Sequence, residues 1–137
     1  MPIQYDPAAG TIVLCDYATG FKPPEMVKRR PVVVVSPRLH RRRGLCTVAP
    51  LSTTPPDQPQ AYHHLVRLAE PLPERWGASE MWVKADMVAT VSHERLDLFR
   101  TGRDQYGKRK YLQPKLSPED LEAVRRCIAL ALGIPLT

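Results

Sequence analysis

A chain of 137 residues, 43% hydrophobic and 25% charged, has room for one small core and reads as a single domain over 1–137. No apolar run reaches the ~18 residues of a membrane span. The opening MPIQYDPAAG lacks the basic and apolar regions of a secretory signal, so a cytoplasmic protein is expected. A net charge of +6 points to a polyanion as partner, against the plainer reading of a basic, soluble surface.

Fifteen prolines argue against a helical bundle and for short strands between turns. GTIVLCDY (10–17) alternates as a first strand. PVVVVS (31–36) is a β-branched run that reads as a strand buried on both faces, with its proline tolerated at the start. LCTVAPLS (45–52) is a third strand, reached through the basic turn RLHRRRG. STTPPDQPQAY (52–62) is a proline-rich loop of the kind that can cover a site. HHLVRL (63–68) is a fourth strand, EMWVKADMVATVS (80–92) a strand bent in its middle, and KRKYLQ (108–113) a further short one.

The end changes character. SPEDLEAVRRCIALALG reads as a helix, with Ser117 as N-cap, Pro118 at the first position, and Glu119 and Asp120 at the positive end of the dipole. Leu121, Val124, Ile128, Ala131 and Leu132 give it one apolar face, and Gly133 stops it. The fold class expected is mostly β with α: a small, strongly bent antiparallel sheet or barrel with one terminal helix.

Cys15, Cys46 and Cys127 are scattered and form no CxxC pair, which suggests neither a disulfide framework nor a zinc site. They read as buried small hydrophobes, a reactive thiol being the sharper alternative. His63 and His64 are adjacent on a strand and face opposite ways, so they do not share one metal ion. No metal site and no cofactor are expected. One feature is odd: Lys28, Arg29 and Arg30 stand at the mouth of the most hydrophobic strand.

The segments GTIVLCDY, GFKPPEMVKRRPVVVVSPR, TVAPLSTT and WVKADMVATVSHERL occur in order. Together they resemble the MazF/PemK family of endoribonuclease toxins. The resemblance implies an SH3-like barrel shared with gyrase-poison toxins, a homodimer, and metal-independent cleavage of single-stranded RNA that inhibits translation and growth. It also implies neutralisation by a cognate antitoxin. Arg30 stands where the family has its catalytic arginine, Ser52 where many members have a catalytic threonine, with Thr53 following it. Lys84 and Asp86 match a basic and acidic pair that some members use. Three positions depart from the commoner residues: Ser52 replaces threonine, Met87 glutamine, and Lys84 arginine.

RNA carries its own nucleophile, the 2′-OH, so a protein can cleave it by moving protons and stabilising the phosphorane. An arginine supplies fixed charge and a fork for phosphate oxygens, which gives Arg30 an electrostatic role. Ser52 is a candidate for bonding a phosphate oxygen, or an ordinary turn residue. Asp86 is a candidate base, or the ion-pair partner of Lys84. Lys28 and Arg29 read as phosphate-positioning charges. The run PRLHRRRG offers Arg38, His40, Arg41 and Arg42 to an RNA backbone, with His40 as a possible proton-transfer group; the plainer reading is a solvated hairpin. Tyr62, Trp76 and Trp82 are aromatic surfaces for bases, or parts of a core or dimer interface. Two other functions stay open: a basic barrel that binds RNA or DNA without chemistry, and a gyrase-directed toxin of the same fold.

Overall fold

The computed structural model describes residues 3–38, 43–73, 76 and 78–136. In chain order the elements are β1 (Ile12–Asp16), β2 (Arg29–Val34), β3 (Leu45–Ser52), β4 (His63–Arg67), β5 (Glu80–Lys84), β6 (Ala89–Ser92), β7 (Leu96–Asp97), β8 (Phe99–Arg103), β9 (Arg109–Leu112) and α1 (Pro118–Ala131). Seven strands form one curved antiparallel sheet in the order β4-β5-β3-β2-β1-β7, with β6 pairing β3, while β8 and β9 make a hairpin of their own. Strands β4 and β7 end the path and are not paired to each other among the described residues, so the sheet curls without closing into a barrel.

Strand alternation sorts β2 onto two cores. Val33 and Val35 join Ile12, Leu51 and Val83 beneath the helix. Val32 and Val34 join Val13, Tyr17 and Leu96 on the other side. This is why four consecutive valines, three in β2 and Val35 just past its end, are all buried: both faces are covered. The residues expected as one bent strand over 80–92 are β5 and β6, joined by a 3-10 turn at Ala85–Met87. That turn moves the pairing with β3 by three residues, from Leu51↔Val83 to Val48↔Ala89.

Helix α1 begins as its sequence predicts. Ser117 Oγ accepts the Asp120 N–H at 3.1 Å, and Pro118 lacks an N–H where none is needed. Val124 and Cys127 are its buried residues, with Ile128 packed on the core. Leu132 is the C-cap and is 62% exposed, because the helix stops before its side chain turns inward. Arg125 binds the Val35 carbonyl oxygen through Nε and Nη2 at 3.1 and 3.0 Å. His64 Nε2 lies 3.0 Å from Asp120 Oδ1 and ties β4 to the helix. His63 faces the other way, its Nδ1 accepting the Gln60 N–H at 3.0 Å.

All three cysteines are buried and free. Burial pushes Cys15 up to about 12 and Cys46 up to about 11, and it raises Cys127 as well. The native protein is therefore expected to resist a thiol reagent at about pH 8 while the denatured chain reacts readily. The folded state holds these protons, and the unfolded thiols lose theirs near 9.0. Stability is thus present below that pH and falls as pH rises past it. Labelling counted by mass spectrometry, native against denatured, checks the burial; rapid native labelling of Cys15 would contradict it.

Candidate functional site

The site begins where β2 begins. The strand starts at Arg29, two residues before the proline, so both arginines sit inside the ladder with β1: Asp16↔Arg29 and Cys15↔Arg30. Neighbouring residues on a strand point to opposite faces. Arg30 therefore shares a face with Cys15, Val32 and Val34, and Arg29 lies on the other. Arg29 Nη2 is 3.4 Å from Asp97 Oδ2 there. Lys28 precedes the strand and is exposed.

The β2–β3 ladder runs Val34↔Val48, Val33↔Ala49, Val32↔Pro50 and stops. It stops beside Pro31 and Pro50, two residues without an N–H to give. Continued by two residues, the same register sets Arg30 opposite Ser52 across the parting strands. Arg30 is half-buried, and its Nε is buried with no hydrogen-bond partner among the described residues. A buried donor left unpaired costs free energy, so this nitrogen is poised for an acceptor that the described residues do not supply.

Ser52 is buried at the end of β3 and its Oγ accepts the Thr54 N–H at 3.1 Å. That bond fixes the oxygen and leaves the hydroxyl proton available to donate. Across the next ladder Ser52 pairs with Trp82, and Trp82 with Leu65. Lys84, two residues along β5, lies on the same side as Trp82. Arg30, Ser52, Trp82 and Lys84 are thus gathered on one face. Thr53 follows the strand end and is exposed.

Tyr17 follows Cys15 on that side and opens a cleft of about 350 Å³ lined also by Phe21, Glu25, Met26, Asp86 and Met87. Asp86, exposed in the 3-10 turn, brings a carboxylate to it. The 18–28 loop forms the opposite wall. Arg95 holds that loop: Nη1 donates to the carbonyl oxygens of Asp16 and Thr19 at 3.0 and 2.7 Å, and the guanidinium stands 4.8 Å from the Phe21 ring centroid. Phe21 in turn meets Tyr17 edge-on at 5.1 Å. Gly20 has a φ of +88°, and a Cβ there would come within 3.2 Å of Arg95 Nη2, so the clamp needs glycine. In the sequence Arg95 is only the end of SHERL; nothing local marks a clamp on carbonyls 76 and 79 residues away.

Other expected site residues lie elsewhere. Arg38 is beyond the far end of β2, eight residues on from Arg30 and up to ~26 Å away at ~3.3 Å per extended residue, and its Nε donates to the Asp6 carbonyl oxygen at 2.8 Å. His40, Arg41 and Arg42 lie outside the described residues. Tyr62 meets His63 edge-on at 4.6 Å, and Trp76 packs against the helix-side core.

The fold is thus an open, bent antiparallel sheet with one packed helix, and an arginine, a serine and a lysine lie on one of its faces near a cleft that carries Glu25 and Asp86. The chain belongs to the PemK-like, MazF-like toxins of type II toxin–antitoxin systems, whose family profile matches residues 8–132. It is 30% identical to protein YifN of Escherichia coli (strain K12) over 97% of this chain and 96% of that one. It is 33% identical to an uncharacterized protein of Haemophilus influenzae over 68% of this chain and 71% of that one. Solved structures share the fold. A mycobacterial endoribonuclease in complex with its cognate antitoxin superposes with a TM-score of 0.63 at 21% identity, covering 96% of this chain and 100% of that chain. MazF from Deinococcus radiodurans gives 0.61 at 22% identity, over 95% and 99%. No helix among the described residues is long and apolar enough to cross a membrane.

Proposed function

We propose that this protein is a metal-independent endoribonuclease toxin that cuts single-stranded RNA and is silenced by a cognate antitoxin. The observation that carries the reading is Arg30: a half-buried guanidinium with a buried, unpartnered Nε, opposite Ser52 at the point where two strands part. A phosphate oxygen is the acceptor this geometry suits.

The 2′-OH attacks the adjacent phosphorus, a P–O bond forms, and the bond to the 5′ oxygen breaks. The 2′ proton passes to a base and water gives a proton to the departing 5′ oxygen, giving a 2′,3′-cyclic phosphate and a 5′-hydroxyl. Arg30 stabilises the charge that builds on the phosphorane oxygens. Ser52 donates a hydrogen bond from its hydroxyl to a phosphate oxygen. Asp86, whose carboxylate lines the Tyr17 cleft, takes the 2′ proton, and Lys84 and Lys28 hold flanking phosphates. Trp82 offers a ring to a neighbouring base. The reading includes a homodimer, supported by exposed Leu130, Leu132, Ile134 and Leu136 at the helix end, and a partly disordered acidic antitoxin segment that competes for the basic face.

Incubating the purified chain with a long RNA in EDTA is expected to give fragments with cyclic-phosphate ends, and a 2′-deoxy nucleotide at the cut position is expected to bind but resist. Bound, uncut RNA would replace this reading with a non-catalytic nucleic-acid-binding barrel.

A further inference from the structure

The β8–β9 hairpin holds a surface that the cleavage site does not use. Residues 99–115 carry six cations against one acid, Asp104. The pairs are Phe99↔Leu112, Arg100↔Tyr111 and, after a bulge, Arg103↔Arg109. Phe99 and Leu112 turn inward to the core. The bulge falls at 101–102, where Gly102 takes a φ of +107°. It adds one residue to β8, so Arg100 and Arg103 emerge on one face although their spacing is odd. The outer face therefore presents Arg100, Arg103, Arg109 and Tyr111, all exposed. Like charges set directly opposite on paired strands repel. Arg103 and Arg109 are such a pair, and a polyanion relieves that repulsion.

The strip is continuous with a second cleft. Arg100 lines a cavity of about 450 Å³ with Arg29, Trp76 and Asp97. Asp97 Oδ2 stands 3.4 Å from Arg29 and 3.8 Å from Arg100, holding both guanidiniums at its mouth. Arg29 is the chain neighbour of Arg30 and points to the opposite face, so this cleft lies on the reverse of the sheet, and a bound strand would turn around the start of β2 to join it to the candidate cleavage face. Guanidiniums interleaved with aromatic rings suit unpaired nucleotides: charge for the backbone, rings for bases. An acidic peptide would use the charge and leave the exposed Tyr111 ring unused.

We propose that the β8–β9 hairpin is a single-stranded RNA-binding arm that holds nucleotides flanking the cut, continuing through the Arg29–Trp76–Arg100 cleft. This rests on the ribonuclease reading. The test is fluorescence anisotropy with fully 2′-O-methylated RNAs of about 6 and about 24 nucleotides, which bind but have no 2′-OH to attack. For the double variant Arg103→Gln/Arg109→Gln, affinity for the long RNA is expected to fall about tenfold relative to the short one. Its salt slope is expected to become shallower by about 1.4, at ~0.7 for each lost phosphate contact. Arg103→Lys/Arg109→Lys keeps the charge and is expected to restore most of the salt slope, with circular dichroism reporting the fold of each. Equal weakening on both lengths, or none, overturns the proposal. So does lost affinity for an acidic antitoxin peptide with RNA binding unchanged. A wild type that shows the length effect but never cuts ordinary RNA refutes the ribonuclease reading and leaves the arm standing.

Discussion

Arg30→Ala is expected to lower single-turnover RNA cleavage by about 10²–10³-fold, the scale for one preorganised charge at a developing oxyanion. The loss should fall on the chemical step. Lys28, Lys84 and the hairpin still hold the RNA, so binding weakens far less. The fold should survive, because the guanidinium makes no bond through Nε to lose. Removing a buried donor without a partner relieves a cost, so the melting temperature should hold or rise slightly. A rise in stability with a fall in rate is the pattern of a residue kept for function. Arg30→Lys keeps the charge without the planar fork and should fall between the two. Ser52→Ala should lose less than Arg30→Ala. Thr53 lies in the bend past the end of β3 and is exposed, so it does not share the buried position of Ser52. Single-turnover cleavage of one defined RNA, with circular dichroism for folding, is the measurement. Near-normal cleavage by folded Arg30→Ala would leave Arg30 a positioning residue at most.

The sequence makes the helix and the central strands legible because their signals are local. Ser117-Pro118-Glu119-Asp120 is a helix start in any context, and LCTVAPLS coincides with β3. The four valines call for cover on both faces, and the two cores supply it. What the sequence hides is the consequence of register. Lys28, Arg29 and Arg30 read as one basic cluster. The strand takes in two of them and alternation separates them: Arg30 shares a face with Cys15 and Val32, and Arg29 pairs with Asp97 on the reverse.

The β8 strand is hidden for a different reason. FRTGR has a glycine in its interior, which weakens a strand, and no apolar alternation after Phe99, and it forms because β9 pairs with it and Phe99 anchors it. Periodicity fails there because a bulge breaks the period. The expectation of a basic RNA-contacting turn at 37–44 rests on charge density alone. Arg38 lies at the far end of β2 from Arg30, whereas the hairpin, less dense in charge, presents its arginines in order along one face.

Phe99→Ala is expected to cost about 3–5 kcal/mol of stability, the range for removing a large aromatic from a packed interior. Phe99 is 1% exposed and sits in the core with Ile12, Leu14, Leu116 and Val124. It is also the root of the hairpin, paired with Leu112, which packs against that same core. Truncating it removes apolar contact and leaves a void between the hairpin base, the sheet and the helix. The neighbours are strands and a helix with little freedom to close in, which favours the upper part of the range. Against a total stability of about 5–15 kcal/mol for a domain of this kind, the variant should be folded at low temperature and marginal at physiological temperature. Urea unfolding should show a lowered midpoint with an unchanged slope. The functional signature separates this residue from Arg30: under conditions where Phe99→Ala is folded, short RNAs should be cut at a near-normal single-turnover rate, while affinity for long RNAs falls as the arm loses its anchor. A stability loss under about 1 kcal/mol, below the range for a buried phenylalanine, would mean that the hairpin is not rooted in the core and that the flanking nucleotides are held without it.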